Sequence, residues 1–138
     1  MAFDRSQPVL IVDDYRDIVR LLTNLLQELG FSDVDSEPNG ARALRRLRGR
    51  DYALVLCDWN MSPMTGLQLL KEVRADDSLR RLPFIMVTGV TAAEHVRAAR
   101  EAGVSNYIVK PFNVQTVRDR IEATVGRFAP LPRASSVV

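Results

Sequence analysis

The stretch LVLCDWNMSPMTG, residues 54–66, decides the fold. An apolar run suited to a buried strand stops at a carboxylate, Asp58, and Trp59, Asn60 and a turn-forming SPMTG follow. The same signature recurs along the chain. PVLIVD (8–13), PFIMVT (83–88) and SNYIVK (105–110) are apolar runs that also end in polar residues. DVDSE (33–37) is a more polar strand, expected at a sheet edge.

Helix-period segments separate these runs. The first carries Ile18, Leu21, Leu22, Leu25, Leu26 and Leu29 on one face and stops at Gly30. NGARALRRLRG turns Ala41, Leu44 and Leu47 inward, and TGLQLLKEVRAD turns Leu67, Leu70 and Val73 inward. TAAEHVRAAREAG opens with a predicted Thr91–Glu94 capping box, and the last helix buries Val114, Val117, Ile121 and Val125. Five strand–helix units whose strands are apolar on both faces predict an α/β fold: a parallel sheet covered by helices on both sides. The 138 residues suit one domain at 8–126, with a short lead at 1–7 and an irregular tail at 127–138 that carries prolines and no periodicity.

Composition removes several classes of function. Apolar residues make up 46% and charged residues 26%, enough for a packed core. The net charge of +2 is too small an excess to mark a nucleic-acid binder, and LRRLRGR (44–50) reads as a solvated helix face. Cys57 is the only cysteine, which rules out a disulfide framework or a cysteine-rich zinc site; it reads as a buried thiol. With no signal-peptide pattern at MAFDRSQ and no apolar stretch of about 18 residues, a soluble cytoplasmic protein is expected.

The informative polar residues share one position in the pattern. The first strand ends in Asp13 and Asp14, the third in Asp58, the fourth in Thr88 and the fifth in Lys110. The carboxyl ends of strands in an open parallel sheet lie along one edge, where such folds bind ligands. Three carboxylates, a hydroxyl and an ammonium far apart in sequence should therefore meet. Charges about 4 Å apart interact by roughly 4 kcal/mol at an effective dielectric near 20, so the carboxylates call for a cation. Lys110 supplies one positive charge; Mg²⁺, which takes oxygen ligands, supplies more. Mg²⁺ with lysine stabilises a transferring phosphoryl group, and a carboxylate can be its nucleophile. Each residue alone has an ordinary explanation as a cap or a turn; their coincidence at four strand ends points to metal-assisted phosphoryl chemistry.

These pieces resemble bacterial response-regulator receiver domains, and among them the single-domain chemotaxis regulators. The resemblance rests on VDD (12–14), DWNM (58–61), Gly66, LPFIMVT (82–88) and AGVSNYIVKPF (102–112), and covers roughly residues 8–126. It implies a (βα)5 flavodoxin-like, doubly wound sheet of strand order 2-1-3-4-5. Asp58 matches the phosphoacceptor that takes a phosphoryl group from a sensor histidine kinase or histidine phosphotransfer protein. Asp14 and Asp58 match Mg²⁺ ligands, the Asn60 carbonyl a third, and Asp13 acts through a bound water. Lys110 matches the lysine that pairs with the phosphoryl oxygens, Thr88 the hydroxyl that moves onto them, and Tyr107 the aromatic switch that follows. Lys110–Pro111 matches the family's cis peptide. Phosphorylation would then reshape the surface of the fourth helix, fifth strand and fifth helix, where a target protein docks.

Two positions depart from the family. Ser62 stands where a proline commonly follows Met61, and Pro63 comes one residue later, which predicts an altered loop. Val90, which offers no charge or hydrogen bond, stands where chemotaxis regulators carry a glutamate, so their phosphorylated lifetime does not carry over to this chain. Trp59 is read as a bystander at the site's rim, and His95 as a surface residue beside the output face. Arg97, Arg100, Arg118 and Arg120 would make that face attractive to an acidic partner segment. The expected function is a phosphorylation-driven, non-enzymatic switch that catalyses its own phosphoryl uptake and loss. The other readings are a phosphorelay intermediate, a phosphorylation-independent interaction module, and an aspartate-nucleophile phosphatase. The last lacks a general acid, because Asn60 stands where that class places a second aspartate.

Overall fold

The computed structural model describes residues 2–89 and 91–131. Five strands alternate with five helices: β1 (Val9–Val12), α1 (Arg16–Glu28), β2 (Val34–Glu37), α2 (Gly40–Gly49), β3 (Leu54–Asp58), α3 (Gly66–Ala75), β4 (Phe84–Thr88), α4 (Ala93–Glu101), β5 (Asn106–Val109) and α5 (Val114–Val125). The strands form one parallel sheet in the order β2-β1-β3-β4-β5. The expected fold and strand order are both present.

Strand alternation divides the core in two. Val9, Ile11, Leu54, Leu56, Ile85, Val87 and Ile108 face α1 and α5, where they meet Leu22, Leu26, Val117 and Ile121. Leu10, Val12, Val55, Cys57, Phe84 and Met86 face the other way, onto α2, α3 and α4. Each fully buried aliphatic side chain contributes about 1.5–3 kcal/mol. The central strands β1, β3 and β4 have no exposed residue, whereas β2, at the edge, buries only Glu37. Ion pairs tie β2 down: Glu37 to Arg46, and Asp33 and Asp35 to Arg50. Most arginines of LRRLRGR are thus neutralised within the fold, Arg48 by Asp76.

Several helix faces differ from those expected. Leu21 is 44% exposed because it lies about 80° from the centre of the stripe formed by Ile18, Leu22, Leu25, Leu26 and Leu29. In α2, Ala43 rather than Ala41 faces the core with Leu44 and Leu47; in α3, Leu69 joins Leu70 and Val73 while Leu67 is half-buried. The expected Thr91–Glu94 capping box is absent. The helix starts at Ala93 with Ala92 as its cap, so Glu94 stands one position too early to fold back. A capping box does form at Thr65 and Gln68, at the start of α3.

The lead and the first residues of the tail are joined. The Phe3 amide donates to the Arg127 carbonyl at 2.7 Å, and the Ala129 amide donates to the Phe3 carbonyl at 2.8 Å. Phe3, Phe31 and Phe128 form an aromatic cluster, with Phe31 and Phe128 edge-on at 5.4 Å. Arg5 is buried and donates to the carbonyls of Leu29 and Ala129, both at 2.6 Å, beneath the Phe128 ring. The irregular tail expected at 127–138 lies outside the described residues from 132 onward, as does Val90. Arg5→Ala would leave two carbonyls without their donor and remove the cation–π contact, so it should cost about 1–3 kcal/mol in urea denaturation. Arg5→Lys should recover part of that loss.

Candidate functional site

Register brings the strand ends together. Val12 pairs with Cys57, Asp58 with Val87, and Thr88 with Val109, so Asp13, Asp58, Thr88 and Lys110 emerge along one edge. One carboxylate oxygen from each of Asp13, Asp14 and Asp58 lies within 4.8 Å of the others. Asp13 and Asp58 are buried, at 2% and 6% exposure, while Asp14 is exposed. The Lys110 ammonium donates to Asp58 Oδ1 at 3.0 Å. Thr88 is fully buried at the end of β4. The convergence expected from the strand ends is therefore present.

The three carboxylates have different surroundings. Asp13 Oδ1 accepts the Tyr15 amide at 2.9 Å, and Oδ2 is buried with no hydrogen-bond partner among the described residues. Burial raises the Asp13 carboxyl to about 6, helped by the charges of Asp58 and Asp14 and opposed by the Tyr15 amide and Lys110. A buried oxygen with no such partner, on a carboxylate grouped with two more, makes a donor set for a hard, oxygen-seeking cation. Asp13, Asp14 and Asp58 are the residues that fit Mg²⁺, and Asn60 lies beside them.

The site opens into a cleft of about 690 Å³ lined by Asp14, Tyr15, Asp17, Ile18, Asp58, Asn60, Gly89 and Lys110. A side chain added at Gly89 would meet nothing within 4 Å, so the glycine leaves the entrance clear. Tyr15 and Asp17 were not picked out from the sequence, and Ile18 was read there as a core-facing helix residue rather than part of the site. Their place in the chain is the available signal: they open the helix that directly follows Asp14, on the same sheet edge.

The loop after Asp58 is clamped from behind. The Gly66 amide donates to the Trp59 carbonyl at 2.9 Å. A Cβ at Gly66 would lie 2.2 Å from the Asp58 carbonyl oxygen, a separation no side chain can occupy. Ser62–Pro63 and Lys110–Pro111 are both cis. Asp13, Asp14 and Asp58 stay together although Ser62 and Pro63 depart from the family pattern.

Trp59 and His95 differ from their expected places. Trp59 is 8% exposed and belongs to the core, not the rim. His95 is half-buried with its ring against that indole. Tyr107 is half-buried, and its hydroxyl donates to the His95 carbonyl at 3.2 Å. Of the arginines expected to charge the neighbouring face, Arg118 pairs with Glu122 and stacks on Phe128, while Arg97, Arg100 and Arg120 are exposed.

The chain is similar in sequence and fold to known proteins. The family described as response regulator receiver domain matches residues 9–122. The chemotaxis protein CheY-3 of Vibrio cholerae is 40% identical over 119 residues, 86% of this chain and 92% of its own. CheY of Pseudomonas aeruginosa is 41% identical over 114 residues, 83% and 92% of the two chains. Among solved structures, Vibrio cholerae CheY4 superposes with a TM-score of 0.79 at 29% identity, covering 86% of this chain and 98% of that one. The receiver domain of a Pseudomonas aeruginosa PAO1 sensor histidine kinase gives 0.80 at 25% identity, over 88% and 98%; it was solved with a magnesium ion coordinated in its active-site cleft. Among the described residues, no helix is long and apolar enough to cross a membrane.

Two outcomes follow for the metal-free protein. Folding favours protonated Asp13, so its stabilising contribution is complete below its ordinary value of 3.8 and is lost as pH rises through about 6. Asp13→Asn should therefore stabilise the protein at neutral pH by about 1–3 kcal/mol and flatten the fall of the denaturation midpoint over that window. Added Mg²⁺ should offset the fall in the parent protein more than in the variant. Gly66→Ala should cost about 1–3 kcal/mol or more in the same assay, because the clash is with backbone.

Proposed function

Given that the chain belongs to the response regulator receiver domain family, we propose that it is a phosphorylation-driven signalling switch whose phosphoacceptor is Asp58. The observation that carries this reading is the Lys110–Asp58 contact at 3.0 Å inside a cluster of three carboxylates at one sheet edge. That arrangement gives a buried carboxylate nucleophile, a cation beside it and an oxygen cage for a metal.

The transfer balances simply. One Asp58 carboxylate oxygen attacks phosphorus, the N–P bond of a phosphohistidine breaks, and the imidazole nitrogen leaves with the electron pair. Asp13, Asp14, Asp58 and the Asn60 carbonyl would hold Mg²⁺, which when bound neutralises charge on the phosphoryl oxygens. Lys110 pairs with Asp58 before transfer and turns to a phosphoryl oxygen afterwards. Phosphorylation adds about −1.5 to −2 charges and three acceptor oxygens next to Thr88. The Thr88 hydroxyl moves to donate to one of them. Thr88 by strand parity, and Trp59 and Tyr107 by their packing, lie on the α4 side of the sheet, and Tyr107 moves into the space that Thr88 leaves. The α4–β5–α5 surface is the output face, a population shift biased by a local charge. Water attacking the acyl phosphate resets the switch, and a histidine kinase or histidine phosphotransfer protein supplies the phosphoryl group.

Incubation with Mg²⁺ and phosphoramidate or acetyl phosphate should add one phosphoryl group by intact mass, and Asp58→Asn should abolish the adduct. Lys110→Ala should slow its formation at least tenfold, the scale of losing one preorganised charge. Turnover of phosphate monoesters without an adduct would overturn the reading in favour of a phosphatase. No adduct with any donor would favour a phosphorylation-independent module.

A further inference from the structure

The phosphoryl chemistry uses neither Trp59 nor His95, and the two touch. Trp59 follows Asp58 directly, and strand alternation sends its indole to the face covered by α4. There it meets the His95 ring edge-on, with centroids 5.1 Å apart and planes at 70°. His95 sits in the first turn of α4, and its carbonyl accepts the Tyr107 hydroxyl. One residue is thus held from two sides, its ring by the loop after β3 and its backbone by β5.

Little else fixes that turn. Ala92 offers no side-chain cap, and Ala99 is the only fully buried residue that α4 contributes to the core. His95 Nδ1 is buried and makes no hydrogen bond among the described residues, so ring packing rather than that nitrogen holds the imidazole.

We propose that His95 is a positioning residue joining the phosphoacceptor loop to the output face. When a phosphoryl group fills the site and the Asp58–Asn60 segment adjusts, Trp59 passes the shift to α4 through His95, and the His95 carbonyl passes it to Tyr107. This route runs beside the one through Thr88 and rests on Asp58 being the phosphoacceptor. A ligand shifts an equilibrium only through contacts that differ between the two states. An edge-to-face ring pair supplies a factor of about two to ten, and that is the coupling expected here.

The test uses the full chain with Mg²⁺ and beryllofluoride as phosphoryl mimic. Amide hydrogen exchange over residues 93–101 is measured with and without the mimic, and adduct formation from phosphoramidate is followed by intact mass. In the parent protein, loading should change exchange across α4. In His95→Ala the adduct should still form, while the α4 response to beryllofluoride should fall about two- to tenfold. His95→Phe, which keeps a ring but no nitrogen, should restore the response. If His95→Ala does not fold, His95→Leu fills the volume without a ring and should show the same fall. A full α4 response in a ring-less variant that forms the adduct normally would overturn the joint alone, as would failure of His95→Phe to restore it. No adduct in the parent protein would overturn the phosphoacceptor reading and the joint together.

Discussion

Three carboxylates held within 4.8 Å of one another repel, and the fold has to keep them there. At such spacing each pair costs about 3–4 kcal/mol at an effective dielectric near 20. Burial of Asp13 adds a desolvation penalty, expressed in its raised carboxyl. No local sequence would choose this arrangement. It persists because Asp58 ends and Asp13 and Asp14 follow a central strand whose other residues are fully buried. Moving a carboxylate outward would drag a strand out of register and turn its apolar set toward solvent.

The rest of the molecule can be understood from that constraint. Lys110 comes from β5, two strands from the nearest carboxylate, and neutralises the one carboxylate that must react. Gly66 lets α3 press its backbone against the Asp58 carbonyl, closing the loop behind the nucleophile. The lead–tail clasp of Phe3, Arg5, Phe31 and Phe128 joins residues 3–5 to residues 127–129 beside the C-terminus of α1, at the amino edge of the sheet.

The sheet and the polar cluster were legible in the sequence because both are carried by short-range pattern. Buried runs of five or so residues and their polar ends define strands and edge without any knowledge of tertiary contact. Helix faces were less legible: Leu21, Ala41 and Leu67 were expected inward and are exposed or half-buried, because apolar character alone does not say which side of a stripe meets the sheet. The Thr91–Glu94 box failed for a related reason, since the helix start is set by where α4 packs rather than by the residues that could cap it. The lead–tail clasp was invisible because its partners lie 124 residues apart.

Trp59 is the instructive case, since the signal was present in the stretch that decides the fold. Val55, Cys57 and Trp59 alternate with Leu54, Leu56 and Asp58, and the alternation continues one residue past the strand. Carried through, it places the indole on the side of α2, α3 and α4 rather than at the rim. Thr88 falls on that side by the same parity, continuing Phe84 and Met86, and Tyr107 packs there too. A charge event at Asp58 is thus separated from α4 by side chains that strand parity has already aligned. The sheet that gathers the carboxylates on its edge also sorts the residues beside them by face, so the site and its route to the surface have one geometric origin.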